Sequence, residues 1–544
     1  MLVFSGNCQR RKGAQPIKPP HLTLAAGEPP AEVSATSTEV VRQASVRFSG
    51  LMVDKFLGYG FMVLVTKSYG PDAFGVYLFG VGAIEVALGA TRLGLDRAAV
   101  RAVSGLNATG KPAEIKGVVR ASLLLTLPVC VAITVVGLLF NDGLAAVLGQ
   151  PRLDDFMRFA ALAIPASVFA DVLLWSTEGL GYQKYVALIR MMIEPAIKTA
   201  IAVGLFLVLG KAGSSRSLGL AYTVSVLISA IIAYAVYRRR VAPMAVGPSV
   251  ERHVPELLRV GLPFCGLTIL SRLLARADTF LIFAIVSAKA TAHYTVALRT
   301  ALLTTMIALA FDAAFRPAMA RILAVGRPGD LAADYLSVSR SVFVLCLPAC
   351  VVLGVFPERV MTVIGGQFSD AAAVCSLIAV ATAVGFALGP AASALAMAGR
   401  TRVPLVNGLI AGAIGLALNV ALIPRLGLAG AGAAQCISIV VSSVLNAVSA
   451  RRLLGVSGIG RGHASLVVAS VVAAVAGLVS DAIAPADKYA ALAVVSSVVV
   501  LVYLAVIWAW GIRPEDKQLI SNLLRVAVGG NDARNERSLW PKRR

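Results

Sequence analysis

GLPFCGLTILSRLLARADTF, residues 261–280, is apolar enough to enter a bilayer, and the apolar run continues through LIFAIV to Val286. Three ionisable residues nevertheless stand inside it: Arg272, Arg276 and Asp278. Arg272 and Arg276 are one helical repeat apart and share a face. At the α-helical rise, Arg272 lies roughly 16 Å in from Gly261, near the middle of a hydrocarbon core about 30 Å thick. A guanidinium facing lipid at that depth costs about 3 kcal/mol or more, so it must face protein or a wet cavity. The stretch reads as one wall of a basic cavity that holds an anion.

The whole chain agrees with a membrane setting. Of 544 residues 58% are hydrophobic and only 14% charged, with mean hydropathy +0.81, where a soluble domain carries about 25% charged residues. Apolar runs of spanning length recur at 48–66, 74–90, 117–140, 159–175, 186–209 and 218–237. They recur again at 261–286, 295–315, 338–356, 371–397, 405–423 and 428–448, with two more at 466–483 and 489–512. The expected fold is therefore all-α, a polytopic membrane protein with about 14 transmembrane helices.

Net charge is +22. With the N-terminal tail taken as cytoplasmic, alternate loops put about 36 Lys and Arg on that side against about 10 on the other. The charge is thus a topology signal, with both termini inside, rather than a nucleic-acid footprint; no nucleic-acid partner is expected. The seven cysteines form no CxxC, and Cys346 and Cys350 share a helix face, which reads as core. Residues 1–46 hold no apolar run and read as a disordered tail.

The halves repeat. Gly181-Tyr-Gln-Lys184 answers Gly399-Arg-Thr-Arg402, Arg216-Ser-Leu-Gly-Leu-Ala221 answers Arg425-Leu-Gly-Leu-Ala429, and Tyr77 answers Tyr294, all at offsets near 210 residues. Six spans followed by six more, both sets starting inside, give two parallel six-helix bundles with a path between them, and two added C-terminal helices. The expected domains are a tail 1–46, bundles 47–240 and 259–456 joined by a linker 241–258, the added pair 457–512, and a basic tail 513–544.

Gly105-Leu-Asn-Ala-Thr-Gly110-Lys111 has the spacing of a phosphate loop, but Pro112 stands where Ser or Thr should hold Mg²⁺ and no strand precedes it. No catalytic constellation assembles, so neither an enzyme nor a cofactor is expected. What remains is the set of ionisable residues within spans. Glu194 and Lys198 either neutralise one another at i,i+4 or meet a substrate. Asp54 and Lys55 are adjacent, point about 100° apart and should not pair; Lys55 either snorkels or faces the cavity. Arg272 and Arg276 either line the cavity or bind Asp54, Glu85 or Asp312 from neighbouring spans. Glu85 and Asp312 could alternatively carry a coupling proton or cation, and Asp54 and Asp278 complete the acidic set. Asp171 is also intramembrane.

Thr66-Lys-Ser-Tyr-Gly-Pro-Asp-Ala-Phe-Gly-Val-Tyr77, Arg92-Leu-Gly-Leu-Asp-Arg97, Gly261-Leu-Pro-Phe264 and Asn419-Val-Ala-Leu-Ile-Pro-Arg-Leu-Gly-Leu-Ala-Gly-Ala431 carry a resemblance. Over about residues 48–456 the chain resembles Wzx-type lipid-linked oligosaccharide flippases of the multidrug/oligosaccharidyl-lipid/polysaccharide (MOP) superfamily. The resemblance implies an inner-membrane flippase that moves undecaprenyl-diphosphate-linked sugar units for exopolysaccharide, capsule or O-antigen by alternating access. Its partners would be that lipid-linked oligosaccharide, membrane lipids, and a polysaccharide polymerase and export proteins. Basic residues of spans one and seven line the cavity in such proteins, which maps to Lys55, Arg272 and Arg276; Lys198 is a further candidate. Many relatives have 12 spans and lipid II flippases have 14, so the added pair keeps a lipid II flippase open. A drug/cation antiporter of the superfamily and a non-transporting assembly scaffold are the other readings.

Overall fold

The computed structural model describes residues 31–211, 213–244, 254–312, 315, 319, 328–460 and 462–509. The basic tail 513–544, residues 245–253 of the expected linker and most of 313–327 lie outside the described residues. The chain divides into two compact units, the first ending at Ser45 and the second beginning at Val46.

Among the described residues every regular element is helical, and twelve helices are long and apolar enough to cross a membrane, thirteen if a bent pair counts as one span. The labelled helices are α1 (Ala31–Ser68), α2 (Pro71–Thr91), α3 (Leu95–Ala108), α4 (Ile115–Leu139), α5 (Pro151–Ala160), α6 (Ala163–Gly179), α7 (Glu194–Leu209) and α8 (Ser214–Arg240). They continue with α9 (Val254–Ile285), α10 (Ala288–Leu302), α11 (Pro328–Val355), α12 (Ala372–Leu388), α13 (Arg402–Leu454), α14 (Gly462–Ala482) and α15 (Lys488–Ala509). α1 begins at Ala31, inside the segment expected to lack structure; the Pro and Gly that punctuate the chain before it cease at Pro30.

Local chemistry sets the breaks. Gly70 at φ +90 turns the chain into α2, where Pro71 occupies the first helical turn and Asp72 meets the positive end of the helix dipole. Helix α13 is 53 residues long, far more than one crossing needs. It reverses at Gly427, whose φ +55 and ψ −129 are not helical, three residues after Pro424. The two legs lie side by side: Asn407 Nδ2 donates to Asn446 Oδ1 at 3.0 Å and Ser438 Oγ to the Ala411 carbonyl at 3.0 Å. Partners so distant in sequence could not meet along one straight rod.

In the first half α4 packs on α6, and α8 on α5, α6 and α7; in the second, α12 packs on α10, α11 and α13. Helix α2 is the seam, lying against α9 and α10, while α9 also touches α3 and α13. Aromatic rings stitch that seam: Phe79 stacks on Phe283 at 4.2 Å between centroids and meets Phe280 edge-on at 5.2 Å. The added pair α14–α15 packs on α11, with Tyr503 Oη donating to the Val344 carbonyl at 3.1 Å and Arg359 bound to Asp481 at 2.9 Å. Its outer face shows Val471, Val475, Leu478, Val479, Leu501, Leu504 and Trp508, an apolar surface that water would not tolerate.

Candidate functional site

Three glycines at heptad spacing, Gly75, Gly82 and Gly89, line the face of α2 that meets α9 and α10. Without side chains there, α2 lets long residues of α9 lie across it. A Cβ on Gly89 would stand 3.0 Å from Arg272 Cδ, and one on Gly82 3.1 Å from the Phe280 ring and 3.8 Å from Arg276 Cδ. Both arginines of the opening stretch are therefore aimed into the seam between the halves.

The two take different partners. Arg276 donates from Nε (2.9 Å) and Nη2 (2.7 Å) to Glu85 Oε2 on α2, a pair left 27% and 34% exposed. Arg272 donates only to the Glu85 main-chain carbonyl, at 3.2 Å, and forms no salt bridge among the described residues. Of the carboxylates the sequence offered, Glu85 is thus the one that binds, and it leaves one guanidinium without a counter-ion.

Around this centre the charges form a continuous column. Arg299 on α10 lies within electrostatic reach of Arg276, Glu85 and Asp54, and forms no salt bridge among the described residues. Lys198 on α7 stands over the Phe61 ring at 4.7 Å and the Tyr77 ring at 5.7 Å, a cation–π seat rather than an ion pair. At the other end Asp171 joins Arg92 and Arg190, each at 2.5 Å, and Arg190 also binds Glu194 at 2.6 Å and the Ser167 carbonyl at 2.8 Å. Arg272 senses both Arg92 and Asp171, which connects this network to the centre. Residues 187–193, which carry Arg190, wind as a π-helix, a wide turn that is frequent at functional sites.

Two pairings differ from the sequence reading. Glu194 is taken by Arg190, four residues before it and within reach on the same side of the helix; Lys198 is left to the rings. Lys55 Nζ lies 3.9 Å from Asp54 Oδ2, since its flexible stem bends back across the angle between neighbours; the pair is half-exposed and weak. Asp278 lies within electrostatic reach of Arg276 but forms no salt bridge among the described residues. It is buried, accepting from Tyr294 Oη at 2.7 Å and the Thr279 amide at 2.7 Å. Asp312 lines a separate cavity of about 260 Å³ with Thr305, Ser442, Ser443 and Asn446.

Arg190 and Arg299 were not singled out from sequence although they lie inside predicted spans, and Arg92 was read only as part of a motif, not as a site residue. Their position within apolar runs was the available signal.

The profile of a family described as "Polysaccharide biosynthesis protein" matches residues 40–323, over half of the chain. The chain belongs to the polysaccharide biosynthesis protein family. No curated protein matches it. An inward-facing multidrug resistance MATE family transporter of the MOP superfamily is similar with TM-score 0.61 and 18% identity, over 76% of this chain and 98% of its own. The lipid II flippase MurJ, in an inward closed conformation, is similar with TM-score 0.65 and 12% identity, over 88% and 99%. A MOP superfamily transporter from Pyrococcus furiosus, described for the reverse polarity of its binding pocket, gives 0.53 and 16%, over 77% and 95%. This member of the polysaccharide biosynthesis family therefore has the MOP-superfamily fold and is a multi-pass membrane protein.

Proposed function

We propose that the chain is a flippase for an anionic, lipid-linked oligosaccharide, which it moves across the membrane by alternating access between lobes 47–240 and 259–456. The observation that carries this reading is the column in the seam, where cations outnumber carboxylates and Arg272, Arg299 and Lys198 keep no acidic partner among the described residues. Diphosphate oxygens would supply the missing charge through charge-assisted hydrogen bonds, and guanidinium forks suit that geometry. The lipid tail remains in the bilayer while the headgroup passes between the lobes.

Counting the two legs of α13 separately and the bent pair near Thr305 as one span would agree with the expected fourteen passes. The basic loops then face the cytoplasm, and the membrane is the bacterial inner membrane, with undecaprenyl diphosphate as the carrier and a polymerase and export proteins downstream. The greater coverage by the MurJ structure than by the MATE structure favours one second reading, in which the cargo is lipid II.

The test is Arg272→Ala with Arg276→Ala in proteoliposomes offered a fluorescent polyprenyl-diphosphate sugar. Flipping is expected to fall at least tenfold while the protein level holds. Undiminished flipping would overturn the proposal, and a disaccharide-pentapeptide cargo moved in place of a repeat-unit glycan would select the second reading.

A further inference from the structure

Glu85 answers both arginines at once. One oxygen of its carboxylate takes two bonds from Arg276, and its main-chain carbonyl takes one from Arg272. The clamp is no buried strut, because both side chains keep about a third of their surface open. Gly82 and Gly89, on either side of Glu85, hold the seam narrow enough for a carboxylate on α2 to reach α9.

We propose that Glu85 is a specificity-determining residue: a tethered counter-ion that keeps ordinary phosphodiester lipids out of the basic column and yields only to a diphosphate. This rests on the flippase reading above. A cationic cleft open to a bilayer meets far more singly charged phospholipid headgroups than carrier molecules. Left bare, Arg272 and Arg276 would bind them.

The exchange differs for the two ligands. A phosphodiester brings one charge. It would trade one carboxylate–guanidinium pair for one phosphate–guanidinium pair, against a competitor held at high effective concentration by its own backbone. It would also take from the Glu85 carboxylate both of its bonds to Arg276. A diphosphate diester brings two charges a few ångströms apart. One phosphate can replace Glu85 on Arg276 while the other takes Arg272 or Arg299, so a second pair is gained for the one given up. Discrimination of this kind comes from a built-in penalty against the wrong partner.

The experiment measures binding of a radiolabelled C15 prenyl-diphosphate sugar, a diphosphate diester, to the full-length protein in neutral-lipid nanodiscs, with phosphatidylglycerol as competitor. The native protein is expected to hold the diphosphate against excess phosphatidylglycerol. Glu85→Gln is expected to lower the affinity ratio between the two about tenfold, chiefly by admitting the phosphodiester. Glu85→Asp keeps the charge and should keep the ratio. Should Glu85→Gln be lost from the membrane, Arg276→Lys tests the same clamp by giving up the two-bond grip, and the ratio should fall likewise. An unchanged ratio, or equal weakening toward both ligands, overturns the filter and leaves the flippase reading standing. No binding of the diphosphate to the native protein overturns both.

Discussion

Gly75 offers a test of how the seam is held. A methyl group added there would stand 2.5 Å from the Ala288 carbonyl carbon and nearer still to its oxygen, all of it backbone. Carbon atoms need about 3.5 Å, so the two chains must part by roughly 1 Å at the α2–α10 contact. Overpacking of this kind costs about 1–3 kcal/mol. Gly58 in α1 provides the control, because a methyl there meets nothing within 4 Å. Mid-helix Gly→Ala at an open position gains about 0.5–1 kcal/mol. The two substitutions share the helix-propensity gain and are therefore expected to differ by the overpacking cost, about 1–3 kcal/mol, with Gly75→Ala the less stable. Thermal unfolding in a single detergent reads this directly: Gly75→Ala should melt below the native protein and Gly58→Ala at or above it. Equal melting of the two variants would refute the close backbone approach as the way α2 and α10 pack.

Other outcomes follow from the same geometry. Asp171→Asn leaves Arg92 and Arg190 facing each other without their shared anion, and should cost about 3–5 kcal/mol; adding Arg92→Leu should recover part of the loss, measured as the yield of monodisperse protein and its melting temperature. Tyr294→Phe removes one of the donors to buried Asp278 and should cost about 1–3 kcal/mol in the same assay while flipping by the survivors continues, since Asp278 forms no salt bridge with the cations among the described residues.

The membrane fold was legible in the spacing of apolar runs, and the turn at Gly427 falls between the two spans expected there, because Pro424 and Gly427 can do little else in a helix. The depth of Arg272 and Arg276 was legible too, since a rise of 1.5 Å per residue locates any charge within a span. Which acid met which base was not. Glu85 lies 191 positions from Arg276, and only the approach of α2 to α9, allowed by Gly82 and Gly89, brings them together. Arg299 sits near one end of its span and looks from sequence like an anchor, yet the fold turns it toward Arg276 and Glu85. Local rules misread Glu194, because i+4 and i−4 each offered a cation and the backbone between 187 and 193 is not an ordinary helix.

That wide stretch has a consequence for how the family can change. A π-turn takes in one residue more than an α-turn and absorbs it locally, so the helix downstream keeps its phase. Lys198 owes its place over Phe61 and Tyr77 to that phase. A lineage that lost a single codon between 187 and 193 would close the wide turn into an ordinary one, leaving Lys198 over the same rings while shifting Arg190 within the turn relative to Asp171. The ion pairs around Asp171 can thus be rearranged by a change of register, with no substitution at any residue that forms them.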